Sequence, residues 1–354
     1  MTANSVTRIT IPLAMRATER ALPRFLKSVS QAETAANRIG FRGLVWYDEV
    51  RVHGDYKDMR WKGRRGSSNV EDRRSMGGRP RMRVGGRRVR GGGLGLTGLL
   101  IIVGIAWLTG INPLTLLGQL DGGGGYDTQS YQTQAPRSAA DQETAQFVSV
   151  VLADTENTWG QIFENGGATY PEPTLVLFSG SVSSACGYAS AATGPFYCGA
   201  DSKLYIDLSF YQELANQLNA PGDFAQAYLL AHEVGHHIQN VLGVLPEFQK
   251  ARRTLSKAEG NALSVRVELQ ADCYAGIWAH YAARQKGFVE EGDIDEALNA
   301  ASRIGDDTLQ RQAQGYVVPE SFNHGTSAQR ASWFKKGFQS GDLNACDTFS
   351  AASL

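Results

Sequence analysis

Two histidines and a glutamate near the middle of the chain have the spacing of a metal-dependent hydrolase site. They form the motif His232-Glu233-x-x-His236. On a helix, residues four apart lie on one face one turn apart, which suits two ligands of a tetrahedral zinc ion. Glu233 lies beside the first ligand, where its carboxylate can take a proton from a water held by the metal. The motif therefore predicts His232 and His236 as metal ligands and Glu233 as a catalytic general base.

A zinc ion bound by two histidines needs a third protein ligand. The long metzincin pattern would place glycine at 239 and histidine at 242, and the chain has Gln239 and Leu242 there, so that branch is excluded. Glu268 lies in a second apolar-periodic stretch, residues 261–284, which is typical of a helix, and we predict it as the third ligand. Asp272 follows one turn later on the same face, where it can accept the free ring N–H of a zinc-bound histidine. The alternative, that both are ordinary solvated helix carboxylates, is disfavoured by their apolar neighbours.

These two motifs together resemble the gluzincin arrangement of zinc metallopeptidases. Four segments more narrowly resemble the bacterial putative neutral zinc metallopeptidase family, over residues 59–349: MRWKGRRGSSNVEDRR from Met59, AHEVGHHIQ from Ala231, ELQADCYAG from Glu268 and HGTSAQR from His324. The resemblance implies a zincin-like metallopeptidase domain with Zn2+ as cofactor. It implies hydrolysis of peptide bonds in a peptide or protein substrate, as an endopeptidase rather than an exopeptidase.

Charge divides the chain into two unlike parts. Residues 1–140 hold 22 Lys and Arg against 10 Asp and Glu, a net of +12, and residues 141–354 hold 13 against 25, a net of −12. Residues 1–58 show weak amphipathic patterning and no chemistry, and they precede the family-like segments. We therefore expect residues 1–58 to be an upstream extension added by a mis-assigned start, with translation beginning at Met59.

A basic stretch is followed by an apolar one. Residues 60–90 carry 12 Lys and Arg against two acidic residues, with many glycines and almost no aliphatic residues. This composition predicts a disordered, cytoplasmic segment over residues 59–93. Residues 94–111 contain no charge, so residues 94–117 are predicted to be a single transmembrane helix with the N-terminus in the cytoplasm and the rest outside the inner membrane. A cleaved signal peptide is the alternative for this segment.

The remaining sequence predicts a flexible linker and an α+β domain. Glycines and polar residues at 118–140 indicate a tether, and residues 141–354 are predicted to form a mainly helical domain with a small sheet. The predicted helices are 141–164, 223–243, 261–284, 293–304, 306–314 and 327–337, and the predicted strands are 174–178 and 204–208. The second strand is a candidate for pairing with the backbone of a peptide substrate.

All four cysteines lie after the apolar stretch, which favours an oxidising compartment and two disulfides. Cys186 and Cys198 close a short loop, which leaves Cys273 to pair with Cys346, although four cysteines allow three connectivities.

His324 is the remaining histidine in a distinctive setting. It could be a catalytic residue that stabilises the oxyanion of the reaction, or it could cap or tether the last helix. The other histidines, His53, His237 and His280, are expected only to pack or to face solvent.

Two other functions compete with the peptidase. A non-catalytic, zinc-stabilised domain that binds cell-envelope partners would keep His232, His236 and Glu268 but would not need Glu233. A membrane-tethered binder of nucleic acid or anionic lipid would use the basic segment, but its position beside the apolar stretch favours a topological role. We therefore predict a zinc metallopeptidase in the cell envelope that binds no nucleic acid.

Overall fold

The computed structural model describes residues 59–75, 138–284 and 287–354, all of which belong to one unit. Most of these residues are helical, and the strands are short. In chain order the elements are β1 (Val70–Asp72), α1 (Ala139–Asn165), β2 (Thr174–Phe178), β3 (Ser181–Ser184), β4 (Gly187–Ser190), β5 (Phe196–Cys198), β6 (Lys203–Asp207), α2 (Ser209–Asn216), α3 (Asp223–Val241), α4 (Val244–Arg252), α5 (Lys257–Arg284), α6 (Asp293–Arg303), α7 (Asp306–Gln314) and α8 (Ser327–Ser340). The predicted class, α+β and mainly helical with a small sheet, is confirmed.

Among the described residues, the main sheet has four strands in the order β1-β2-β6-β5. β1, β2 and β6 are parallel, and β5 runs antiparallel to β6 at the edge. The run Thr174–Phe178 is buried from its second residue onward, which agrees with its nearly continuous apolar sequence. The two predicted strands are confirmed as β2 and, shifted by one residue, β6. A separate hairpin joins β3 to β4.

The helices follow the apolar periodicity of the sequence closely. The helix that contains the histidine motif, α3, packs against α5, α6 and α1. Its predicted end at Gly243 was nearly right, since α3 stops at Val241, and Gly243 adopts a left-handed conformation with φ 83°. The sequence analysis missed α4, which begins directly after this glycine.

Two long helices of the core, α5 and α8, touch through their backbones. A Cβ added at Gly276 would lie 2.0 Å from the carbonyl oxygen of Phe334, and one at Gly337 would lie 1.9 Å from that of Cys273. Glycine is therefore required at both positions for the helices to approach this closely.

Both predicted disulfides are confirmed, Cys186 with Cys198 and Cys273 with Cys346, and no cysteine is free. The second bond attaches α5 to the 3₁₀ turn Leu343–Cys346 near the end of the chain. The first closes the loop between β3 and β5.

The prediction of disorder is wrong for residues 60–75. Trp61 is 6% exposed and packs edge-on against Phe147 of α1, with ring centroids 5.5 Å apart. Val70–Asp72 forms β1, which extends the main sheet beside β2. Composition indicated disorder because charged residues and glycine dominate the segment, but a few apolar side chains suffice to dock it, and the charged ones remain at the surface or form ion pairs such as Arg74 with Asp72.

These contacts bear on the predicted topology. Within the described residues, no helix is long and apolar enough to cross a membrane. The predicted transmembrane helix at 94–117, the extension 1–58 and the linker up to residue 137 lie outside the described residues. Residues 59–75 can contact residues 138–354 only if both lie on the same side of any membrane, whereas the sequence-based topology puts them on opposite sides.

Replacing Trp61 with alanine tests whether residues 59–75 are an integral part of this unit. We expect Trp61→Ala to lower the free energy of unfolding by about 3 kcal/mol, because a large buried aromatic side chain is removed. Ser68→Ala, at an exposed position of the same segment, should change it by less than about 0.5 kcal/mol. Chemical denaturation measures both, and equal stability of the two variants would show that the segment is not docked.

Candidate metal centre

The two histidines of the motif face one another across one turn of α3. Their ring centroids are 4.8 Å apart and the ring planes are nearly perpendicular, at 85°. The helix begins after Gly222, whose φ of 115° is accessible to glycine, and it is buried along most of its length. The i, i+4 spacing therefore gives the arrangement that was predicted for His232 and His236.

Glu268 of α5 meets both histidines. Its Oε2 lies 3.3 Å from Nε2 of His232 and 3.6 Å from Nε2 of His236. Two ligand atoms that are each about 2.1 Å from a zinc ion, at tetrahedral angles, are about 3.4 Å apart. The three side chains form a group that could hold a metal ion, so the donor set and its spacing fit zinc.

Glu268 reaches the histidines because α3 and α5 approach closely at Gly235, inside the motif itself. A Cβ at this position would lie 2.8 Å from the carbonyl oxygen of Ala271 and 3.0 Å from its Cα. Both neighbours are backbone atoms and cannot rotate away. A side chain at 235 would therefore push the two helices apart and separate the predicted ligands.

The outer ring nitrogens of both histidines have acceptors. Nδ1 of His232 lies 2.8 Å from Oδ1 of Asp272, and Nδ1 of His236 lies 2.8 Å from Oε1 of Gln239. The amide of Gln239 can point only one way, because its nitrogen donates to the carbonyl oxygen of Val267 at 2.7 Å. Both Nδ1 atoms therefore carry the proton in the neutral rings, which leaves both Nε2 lone pairs facing Glu268.

Asp272 is fully buried and is held by an arginine from α8. Arg330 donates to both carboxylate oxygens at 2.9 Å, and Tyr228 of α3 donates to Oδ1 at 2.6 Å. Burial would raise the pKa of Asp272, but the charges of Arg330 and His232 lower it to about 2. Asp272 is thus a permanent carboxylate, as an acceptor for a histidine N–H needs to be.

Neighbouring charges also shift the pKa values of His232 and Glu268, two of the predicted metal ligands. Burial disfavours protonated His232, yet Asp272 and then Glu268 raise its pKa to about 9. Burial also opposes ionisation of Glu268, but the neighbouring His236 and His232 hold its pKa well below the usual range. The two carboxylates thus favour positive charge at the group formed by His232, His236 and Glu268, which could hold a metal ion.

Glu233 lies next to His232 on α3 and is 8% exposed. Burial and then the negative charge of Glu233 raise the pKa of Tyr211 of α2, and the same charge contributes to the raised pKa of His236. The role of Glu233 as a base stays a prediction.

His324 is anchored by Asp306 at the start of α7. Its backbone nitrogen donates to Oδ2 at 2.6 Å, and its Nδ1 lies 3.1 Å from Oδ1. The hydrogen bond with Asp306 raises the pKa of His324, burial opposes this, and the charge of Glu268 adds to it, so the half-exposed ring is near the metal ligands. The N-cap of α8 is Thr326 and not His324.

The strand that was predicted to pair with a substrate, β6, lies inside the sheet. Residues 204–208 were predicted as a candidate for pairing with a peptide, but β6 already pairs with β2 on one side and β5 on the other. Its backbone groups are therefore occupied. β5 is the edge strand among the described residues, and it is attached to α3 by the hydrogen bond between Tyr197 and His237 at 3.0 Å.

Sequence reasoning missed three members of this site, which are Tyr228, Gln239 and Arg330. Arg330 was quoted within the HGTSAQR segment without a role. Tyr228 and Arg330 contact Asp272 across 44 and 58 positions in the sequence, which only tertiary packing brings together. Gln239 contacts His236 three positions earlier on the same helix. The buried charge of Asp272 was the available signal, because a buried carboxylate requires a cationic partner.

The chain is similar to known proteins over most of its length. A family model described as "Putative neutral zinc metallopeptidase" matches residues 59–349. The uncharacterized protein YpfJ of Escherichia coli (strain K12) is 52% identical over 291 residues, which cover 82% of this chain and 99% of that protein. The uncharacterized protein Rv2575 of Mycobacterium tuberculosis (strain H37Rv) is 43% identical over 266 residues, which cover 70% and 86%. No solved structure matches.

Alanine at the helix crossing tests whether the close approach of α3 and α5 assembles the site. We expect Gly235→Ala to weaken zinc binding at least about tenfold, as disturbances just outside a ligand shell do, and to lower the melting temperature. The matched control is Gly160→Ala in α1, where an added Cβ meets nothing within 4 Å. The free energy of unfolding of that variant should rise by up to about 1 kcal/mol. Calorimetric zinc titration and thermal melting measure both, and unaltered zinc affinity in Gly235→Ala would contradict this assembly.

Proposed function

The chain belongs to the putative neutral zinc metallopeptidase family, and on this premise we propose that it hydrolyses peptide bonds with a zinc-activated water and Glu233 as general base. The observation that carries the proposal is the convergence of His232, His236 and Glu268, with a second glutamate directly beside the first histidine. Three protein ligands are typical of catalytic zinc, whereas structural zinc usually has four.

A zinc ion in this position would polarise the substrate carbonyl and bring the pKa of a coordinated water close to 7. The protein's own residues do the rest. His232, His236 and Glu268 hold the ion, and Asp272 and Gln239 keep both imidazoles in the tautomer that binds it. Glu233 accepts the proton of the attacking water and passes it to the leaving amine.

His324 is proposed as the second catalytic group. Asp306 fixes its Nδ1, so its Nε2 remains available to donate to the developing oxyanion when the ring is protonated. The raised pKa of His324 favours that protonated form. The same contact with Asp306 also tethers the start of α8, so the two roles foreseen for His324 are compatible.

We propose that the substrate is a peptide or protein that lies along β5 in an extended conformation. β5 offers backbone groups at the sheet edge, and its residue Tyr197 contacts α3 through His237. A strand edge binds residues on both sides of a scissile bond, which favours an endopeptidase over an exopeptidase.

The proposed location is the cell envelope, outside the cytoplasm. Two disulfides in one unit of this size favour an oxidising compartment. Attachment to the membrane through residues 94–117 rests on the uncharged sequence alone, and a single crossing there is incompatible with the packing of residues 59–75 on residues 138–354. Because residues 59–75 pack on the same unit, we place them outside the cytoplasm together with residues 138–354.

Glu233→Gln separates an enzyme from a domain that zinc only stabilises. We expect the variant to keep zinc and its melting temperature but to cleave peptides at least about 100-fold more slowly, because the amide cannot take a proton. Glu268→Gln is the complementary variant and should lose stoichiometric zinc as well as activity. Elemental analysis and cleavage of a mixed peptide library measure both properties. Equal cleavage by wild type and Glu233→Gln, or no cleavage by either, would count against a peptidase.

A further inference from the structure

A second cluster of acidic side chains lies at the start of α3. Asp223 is the first residue of this helix, nine residues before His232, and Asp293 and Glu296 lie one turn apart at the start of α6. One carboxylate oxygen of each residue lies within 4.8 Å of the other two. Asp293 is fully buried and Glu296 is 6% exposed. Three groups that carry negative charge in water therefore share one largely buried volume.

The backbone nitrogen of Met59 reaches this cluster from the docked segment. It donates to Oδ2 of Asp223 at 2.8 Å, and Met59 is 3% exposed. The next residue is held as well, because the backbone nitrogen of Arg60 donates to the carbonyl oxygen of Phe288 at 3.3 Å and its guanidinium pairs with Glu290. The start of the segment is thus fixed against the loop that leads into α6.

The carboxylates of the cluster accept hydrogen bonds from backbone nitrogens near the starts of both helices, among them that of Glu290, which donates to Asp293 at 2.8 Å. One oxygen of Glu296 accepts from the backbone nitrogen of Phe224 at 3.0 Å, so this carboxylate caps the start of α3. Burial and then the negative charges of Asp223 and Asp293 raise the pKa of Glu296 to about 8. A peptide nitrogen at Met59 brings one hydrogen and no charge to this place, whereas an α-ammonium brings three hydrogens and a full positive charge.

We propose that Asp223, Asp293 and Glu296 form a binding site for the α-ammonium group of Met59, which is the amino terminus of the mature chain. The family match begins at residue 59, and the alignment with YpfJ covers 99% of that protein but 82% of this chain. Translation that starts at Met59, followed by deformylation, yields a free amine. Methionine aminopeptidase leaves this methionine in place, because the next residue, Arg60, is large.

The consequence is a link between the amino terminus and the helix that holds the metal ligands. The ammonium group fixes the first turn of α3 and the start of α6 together, beside the carboxylate that caps α3. This inference does not depend on peptidase activity, since it concerns the folded state and can be tested without a substrate.

The first experiment identifies the amino terminus. The full reading frame is expressed with its own upstream sequence, and the purified protein is analysed by intact mass and amino-terminal sequencing. We expect a chain that begins at Met59 with an unblocked amine. Reductive methylation at neutral pH should modify this amine at least about tenfold more slowly in the folded protein than in denaturant, because it is buried and bound.

The second experiment moves the charge without removing the contact residue. A chain with one alanine added before Met59 keeps a peptide nitrogen at this position but displaces the ammonium by one residue. We expect its melting temperature to fall by about 3 to 6 °C and its amine to react freely. In the chain that begins at Met59, Asp223→Asn should lower the melting temperature by a similar amount. In the extended chain it should lower it little further, because the added alanine and Asp223→Asn remove the same interaction. Asp295→Asn on α6, outside the cluster, is the matched control and should add its effect independently.

Three results would overturn the proposal. One is a mature chain that begins at Met1 or carries a blocked Met59. Another is an extended chain that has the same melting temperature as the chain beginning at Met59 and whose amine reacts no faster than the amine of that chain. The third is a stoichiometric calcium or magnesium ion that disappears in Asp223→Asn, which would make the cluster a metal site instead. None of these three results depends on whether Glu233→Gln still cleaves peptides.

Discussion

The buried ion pair between Asp272 and Arg330 is the constraint on which the centre of this protein depends. Asp272 is fully buried and Arg330 is 3% exposed. Removing such charges from water costs several kcal/mol per ion, and the pair is stable only if its geometry and remaining hydrogen bonds are satisfied. Two bonds from Arg330 and one from Tyr228 supply them, and Nδ1 of His232 completes the shell. One interaction thus joins α3, α5 and α8 and orients a predicted metal ligand.

This network also depends on the close approach of the helix backbones. Gly235 brings α3 to α5, and Gly276 with Gly337 brings α5 to α8. The disulfide from Cys273, the neighbour of Asp272, fixes α5 to the end of the chain. The last 30 residues are therefore part of the site's support even though they contribute no predicted metal ligand.

The parts of the site that could be predicted from sequence are those set by local helical geometry. The spacing of His232 to His236 places two imidazoles on one face, and that of Glu268 to Asp272 does the same for two carboxylates, so each pair is readable within one helix. The strand and helix patterns and the cysteine pairing were also within reach, because apolar periodicity and loop length constrain them.

The parts that could not be predicted depend on packing between distant segments. Nothing in the sequence around Arg330 indicates which buried atom it contacts. The docking of residues 59–75 was hidden because composition averages over many residues, while a few side chains, Met59, Trp61 and Val70, provide the apolar contacts with the core. The place of β6 inside the sheet was hidden for a related reason, since its alternating pattern does not reveal whether both of its edges are paired.

The central claim is that two histidines and one glutamate hold a zinc ion with a position left for water. X-ray absorption spectroscopy at the zinc edge of the purified protein tests it most directly. The account predicts one zinc ion per chain with nitrogen and oxygen neighbours at about 2.0 to 2.2 Å, two of them imidazoles, and no sulfur neighbour at about 2.3 Å. A sulfur neighbour, three or more imidazoles, or a protein that takes up no zinc would contradict it.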